Sequence, residues 1–421
     1  MSARSHKLPT FEMRNFPHAV SPVLEVEASD IGTLQKMVSE HRPFVARGIV
    51  NSWPLTELLS EAATVNDQIA CFDACLADAD IRFTYTAAEQ RGDIGIGPDL
   101  APNFRMDGRT MAGRDFFSIV SSLIENPTGE CAYASALPMS ELPQELANQP
   151  SLDTIGGSRP RQRNMWIGSG DHVVDLHFDY MRNLISMNAG VKRITIMPPA
   201  ALPHIYPAPL HLKVAGVVRS LVKLLDVDFD QYPRFHHCLD LAQVVTLEPG
   251  DTLYIPPLWW HHVESYGFNV MVNAWYADVP ESAQKPLVDA TALFRNSLSK
   301  LSRFDDADLD ALHAELYSIG RSGTRFEHRT GEKSHKRDMP MRLKAQSGRL
   351  QEIFASIADL PPFWQDHIER LYEYYVFRRN GDPYPTLPGM LDEVARKFRP
   401  GLIGKVSRRT FALRKRLFPG Q

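Results

Sequence analysis

The sequence predicts a mainly β core, a double-sheet jelly roll, with flanking helices and a C-terminal helical appendage. Three observations predict it. Residues 131–276 hold short apolar runs, such as those at 191–197 and 252–255, separated by Pro and Gly, the pattern of short strands joined by turns. Upstream of them the apolar spacing is helical in brief stretches, and downstream of about residue 280 it becomes helical again.

Taken in order, residues 1–23 are polar and Pro-punctuated and read as an N-terminal arm. Leu24, Val26 and Ala28 alternate as in a short strand. Leu34, Met37 and Val38 fall on one helical face, and the stretch from His41 to Gly48 reads as a buried strand ending at a glycine turn. Trp53-Pro54 leads into a helix carrying Leu58 and Leu59, and residues 91–113, rich in Gly and Pro, read as one long loop of the kind that often serves function. A helix over 116–124 precedes the strand-rich region. Beyond it, Leu309, Leu312, Leu316 and Ile319 mark one amphipathic helix, and Ile368, Leu371, Tyr372 and Tyr375 another, with a polar, basic linker over 320–345. The division expected is an arm over 1–23, a β domain over 24–280 and a helical region over 281–421.

At 421 residues the chain can bury a sizeable core without disulfides. A formal charge of -4 argues against a dedicated nucleic-acid binder. Cys71, Cys75, Cys131 and Cys238 form no C-x-x-C pair or disulfide framework, so they read as free thiols of a reducing cytoplasm, with Cys71 and Cys75 on one face if that stretch is helical. The first fifteen residues lack the apolar run of a signal peptide, and no apolar stretch has the length of a membrane span. The expected location is the cytoplasm.

The chemistry gathers at two segments. In Asp175-Leu176-His177-Phe178-Asp179 the strand period turns His177 and Asp179 to one face. Alone, H-x-D is weak, because a structural His bonded to a nearby Asp arises easily in a chain with 15 histidines. Far downstream, residues 247–263 hold a Pro-Gly-Asp turn, an apolar strand and Pro256-Pro257-Leu258-Trp259-Trp260-His261-His262. Two histidines and one carboxylate on one side of a metal leave its other positions open, the donor set of non-haem iron(II) oxygenases.

Together these segments resemble the JmjC and cupin-like oxygenases, especially the asparaginyl hydroxylase type known as factor inhibiting HIF, over roughly residues 24–280. The resemblance implies a double-stranded β-helix of eight strands with iron(II) at one mouth. It implies the ligands His177, Asp179 and His261, with His262 pointing elsewhere. It implies 2-oxoglutarate and dioxygen as cosubstrates, and a lysine for the far carboxylate of 2-oxoglutarate, which falls on Lys192. A dicarboxylate in a desolvated pocket needs such a counter-charge. Arg193 is the rival anchor, but strand alternation turns it to the opposite face, and a solvated strand-edge lysine is the plainer alternative for Lys192. Asn183 and Asn273 match polar positions of the cosubstrate pocket, Tyr133 a tyrosine bonding the same carboxylate, and Trp275 an aromatic beside the metal. A structural role fits Asn183, Asn273 and Tyr133 equally well. One departure stands out: Val174 replaces a threonine three residues before the first ligand.

The resemblance implies hydroxylation of an unactivated C–H bond, with a side chain in a protein or peptide favoured over a small metabolite, and a non-catalytic metal-binding module as the contrasting class. Demethylation is disfavoured, since no methyl-lysine reader or zinc module accompanies the domain. It also makes a homodimer through the C-terminal helices an expectation. His236-His237 reads as a surface or turn element, and Trp259-Trp260 as packing at the barrel mouth. Tyr85 is a candidate for the substrate groove. Between Arg396 and Arg416 the tail is basic and amphipathic, read as a packed helical face before an anion-binding one.

Overall fold

A computed structural model of the chain describes residues 20–277 apart from 91, 98–101, 103, 105–109, 180, 203 and 209–216. The expected C-terminal helices, linker, dimer contact and basic tail, and most of the N-terminal arm, lie outside the described residues. Among the described residues no helix is long and apolar enough to cross a membrane.

The strands in chain order are β1 (Ser21–Pro22), β2 (Phe44–Ala46), β3 (Asp80–Arg82), β4 (Thr84–Thr86), β5 (Asp93–Ile94), β6 (Thr110–Ala112) and β7 (Cys131–Pro138). There follow β8 (Gln162–Gly168), β9 (His172–Phe178), β10 (Arg182–Met197), β11 (Val218–Arg219), β12 (Gln243–Leu247), β13 (Thr252–Ile255) and β14 (Trp260–Tyr276). The helices are α1 (Ile31–Ser39), α2 (Pro54–Glu61), α3 (Val65–Leu76), α4 (Gly113–Glu125), α5 (Gln144–Ala147), α6 (Asp153–Gly156) and α7 (His236–Leu239).

Two long antiparallel partners, β10 and β14, organise the barrel. The first half of β10 pairs with β13 and with the second half of β14, which continues to β8 and β7. The second half of β10 pairs with β12 and with the first half of β14, which continues to β9. Register shifts between Met187, Ala189 and Val191 bend the pair midway, so each strand serves both sheets of the jelly roll. Gly190 makes the bend possible: its φ is +74°, and a Cβ there would lie 2.2 Å from the Phe268 carbonyl oxygen.

Alternation then sorts the side chains. Met165, Ile167, Val270 and Val272 face outward and are covered by Leu55, Leu59, Phe72, Leu76, Phe116 and Phe117 of α2, α3 and α4. Each such fully buried large side chain contributes roughly 1.5–3 kcal/mol. A second outward patch, Leu184, Tyr254 and Tyr276, is covered by Leu34, Met37 and Val38 of α1, the three positions the helical spacing selects. Between the sheets lie Ile185, Met187, Ile194, Ile196, Val263 and Met271.

Several expectations need correction. The strand lies at Ser21–Pro22 rather than at Leu24, Val26 and Ala28; Val23 and Val26 are buried and Leu24 is exposed, because only a parallel bridge from Glu25 to Val45 follows. The 91–113 stretch is not all loop: β5 pairs in parallel with β9, and β6 with β3. Both are too short to show a period. The helix α3, whose Thr64 and Asp67 form a reciprocal capping box, does carry Cys71 and Cys75 four residues apart.

Candidate functional site

Register places the candidate residues on one inner surface. On β14, His261, Val263 and Ser265 oppose Ile196, Ile194 and Lys192 of β10 on one side, and His177, Val174 and His172 of β9 on the other. The step from His261 to Val263 matches three residues of β9, so a bulge at Asp175-Leu176 turns both Val174 and His177 inward. In the other half, Asn183, Ile185 and Met187 oppose Trp275, Asn273 and Met271, which in turn oppose Gln162, Asn164 and Trp166. A cavity of about 710 Å³ results, lined among others by Tyr133, His177, Asp179, Asn183, His261, Asn273 and Trp275.

His177, Asp179 and His261 share one wall of it. The His177 and His261 rings are 4.1 Å apart between centroids, and His261 Nε2 is 3.9 Å from Asp179 Oδ2. Among the described residues no three His, Cys, Asp or Glu side chains stand at closed ligating distances, so the three converge without forming a cage. Their hydrogen bonds suit a metal. His177 Nδ1 lies 2.6 Å from the Asp175 carbonyl and His261 Nδ1 lies 3.1 Å from the Trp259 carbonyl. A carbonyl only accepts, so each Nδ1 carries the proton and each Nε2 keeps a lone pair for a cation. Burial, with His261 and Arg219 nearby, holds His177 well below the usual imidazole range and therefore neutral. Burial pushes Asp179 up, against the pull of His261, Trp275 and Arg219. Two imidazoles with Nε2 turned away from their carbonyl partners, and a carboxylate beside them, fit a divalent cation.

His262 faces the other way. It is buried beside Glu264, 3.7 Å away, on the outer surface that also holds the Arg193–Glu264 ion pair. Lys192 points inward and is fully buried. Its Nζ donates to Ser265 Oγ at 2.5 Å and lies 5.5 Å from the centre of the Tyr133 ring. Burial alone lowers its pKa to about 7. Asn273 Oδ1 accepts from Trp166 Nε1 (2.7 Å) and Asn164 Nδ2 (3.2 Å), while its own amide donates to Asn183 Oδ1 (2.9 Å). This chain leaves the Asn183 amide N–H groups as donors toward the cavity.

Other readings fare unevenly. Tyr85 does not reach the cavity: its hydroxyl bonds Glu130, and it is Thr84 that stands opposite the cavity-lining Tyr133, with Arg82 and Phe83 also in the wall. His236 and His237 are exposed on α7, as a surface element would be, His236 stacked on Phe229 and His237 tilted against His204. Trp260 packs edge-on against Phe178 in the core. Two residues escaped the sequence reading. Arg219 is buried, lines the cavity and is the cross-strand partner of His177, but a two-residue strand leaves no periodic signal. His172 joins the inner face only because of the β9 bulge.

The model of the cupin-like domain family matches residues 31–282. A lysine-specific demethylase of Arabidopsis thaliana is 34% identical over 154 residues, 36% of this chain and 28% of that protein. HSPB1-associated protein 1 of Bos taurus is 32% identical over 184 residues, 41% of this chain and 37% of that protein. A bifunctional peptidase and (3S)-lysyl hydroxylase of Homo sapiens is 27% identical over 301 residues, 63% of this chain and 89% of that protein. The chain spans between a quarter and two fifths of the length of the first two relatives. With the jelly roll in place, and a match that starts at α1, runs past the end of β14 and takes in more than half of the sequence, the chain belongs to the cupin-like domain family.

Proposed function

We propose that the chain is an iron(II)- and 2-oxoglutarate-dependent oxygenase that hydroxylates an unactivated C–H bond of an amino-acid side chain in a protein or peptide. One observation carries the reading: two Nε2-free imidazoles and a carboxylate converge on a cavity, and behind its wall residue Tyr133 lies a buried amine, Lys192, with no acidic partner among the described residues. His177, Asp179 and His261 would hold the iron. When bound there, iron(II) supplies the dioxygen chemistry that couples conversion of 2-oxoglutarate to succinate and carbon dioxide with transfer of one oxygen atom to substrate.

The chain's own residues do the rest. Lys192 and Tyr133 take the far carboxylate of 2-oxoglutarate, Asn183 and Asn273 orient its body, and Trp275 flanks Asp179. The apolar walls, Ile185, Val263 and Met271, exclude water. Two of the relatives are named for acting on lysine, which supports a protein side chain over a small metabolite as substrate. The division into an arm over 1–23, a catalytic domain over 24–280 and a helical, dimerising region over 281–421 belongs to the same proposal.

The test is succinate formation from 2-oxoglutarate with iron(II) and ascorbate. His177→Ala, His261→Ala and Lys192→Ala abolish it, and His262→Ala retains it. Iron affinity falls by more than about a hundredfold in His261→Ala, beyond the loss typical of an outer partner. Full turnover in His261→Ala would overturn the ligand set. Capture of substrate on protein loaded with an inert metal, followed by mass spectrometry for one added oxygen, identifies the substrate class.

A further inference from the structure

Two rows deeper than the metal-facing histidines, the inner face of the barrel carries a second polar group. Ser265 is the cross-strand partner of both Lys192 and His172, so His172, Ser265 and Lys192 form one row across β9, β14 and β10. His172 is completely buried, and among the described residues neither ring nitrogen has a hydrogen-bond partner of good geometry, the Gly170 backbone offering only a poorly aligned one. Its ring lies 4.3 Å from that of Tyr133, which lines the cavity. Room for the imidazole is built in: a Cβ on Gly168 would fall 2.6 Å from His172 Cε1 and 3.1 Å from Tyr133 Cδ2. Among the described residues the imidazole has no well-formed hydrogen bond and the neighbouring Lys192 no acid, an arrangement folded chains rarely keep. What satisfies both is an anion.

We propose that His172 is a specificity-determining residue, donating from its imidazole N–H to one oxygen of a carboxylate whose other oxygen is held by Lys192, so that the site selects a 2-oxo acid bearing a second carboxylate. The proposal rests on the oxygenase reading above and names a residue that reading does not use. Its chemistry is consistent with the surroundings. Burial lowers the pKa of both groups, and the nearby Lys192 further disfavours charge on His172 until an anion enters. Asn269 Oδ1, also buried without a partner, lies on the same side of Gly168 and marks the rival occupant, a bridging water.

Calorimetric titration of the full chain loaded with manganese(II) in place of iron tests it, with 2-oxoglutarate as one probe and pyruvate, which lacks the second carboxylate, as the other. His172→Phe keeps a ring against Tyr133 and removes the donor. It weakens 2-oxoglutarate by roughly ten- to hundredfold while pyruvate stays within about threefold. His172→Gln, which keeps an N–H, recovers most of the affinity. Should the Phe variant fail to fold, His172→Leu replaces it under the same pair of probes. Lys192→Met separates the two levels of inference. If it loses 2-oxoglutarate while His172→Phe and His172→Leu bind both probes as the natural protein does, the row is filled by water and the proposal falls alone. If the unmodified, metal-loaded chain binds no 2-oxoglutarate, the oxygenase reading falls and takes the proposal with it.

Discussion

Lys223 Nζ stands between two carboxylates, 2.8 Å from Asp93 and 2.7 Å from Asp175. One ammonium cannot offset two acids, Asp175 buried and Asp93 half-buried. Burial, and next the charge of Asp175, raise Asp93 to about 7 against the opposing pull of Lys223. An acid with a raised folded pKa binds its proton more tightly folded than unfolded, so this group's contribution to stability falls as pH rises from about 4 to about 7. Replacing Asp93 with Asn is therefore expected to leave stability nearly unchanged at about pH 4 and to raise it by about 1–2 kcal/mol at about pH 8. Denaturant unfolding of both proteins at the two pH values checks this; a gain at the lower pH as large as that at the higher would refute it. At this scale much was legible in the sequence. The i, i+2 period turns Lys192 inward and Arg193 outward, and the same period sends His261 and His262 to opposite faces. Hidden were residues whose orientation depends on a bulge or on a two-residue strand, as with His172 and Arg219.

Among the elements, β10 and β14 decide the architecture, and both bend where glycine permits. Gly190 and Gly267 both have positive φ, but their surroundings differ. A Cβ at Gly190 would meet the Phe268 carbonyl and Asn269, whereas one at Gly267 meets nothing within 4 Å. Gly267→Ala thus costs only the left-handed conformation, roughly 1–2 kcal/mol. Gly190→Ala adds a backbone collision to the same strain, and the expected loss exceeds about 3 kcal/mol, with the halves of β10 no longer in register. Thermal or denaturant unfolding of the pair decides it, and equal losses would show that the bend tolerates side chains. Helices were readable because burial follows their spacing, as Leu34, Met37 and Val38 show. The short strands β5 and β6 were not, since two or three residues carry no period and their partners are distant in sequence.

For the molecule as a whole, the question is how much of the chain the cavity needs. Every described residue lining it lies between Asp80 and Trp275. Among the described residues, three apolar clusters that hold its walls draw on residues between Val23 and Tyr276. Contacts this self-contained predict an autonomous unit, because a domain folds alone when its own apolar surfaces cover one another. Residues 20–280 produced alone are expected to unfold in one cooperative transition and to bind manganese(II) and 2-oxoglutarate within about threefold of the full chain, the affinity resting on contacts inside the barrel. Size-exclusion chromatography of the same two proteins addresses the remaining region, with the full chain expected to run as a dimer and the 20–280 fragment as a monomer. A fragment that folds but loses both ligands would mean that residues beyond 280 complete the site, and the ligand set would then have to be sought partly among them.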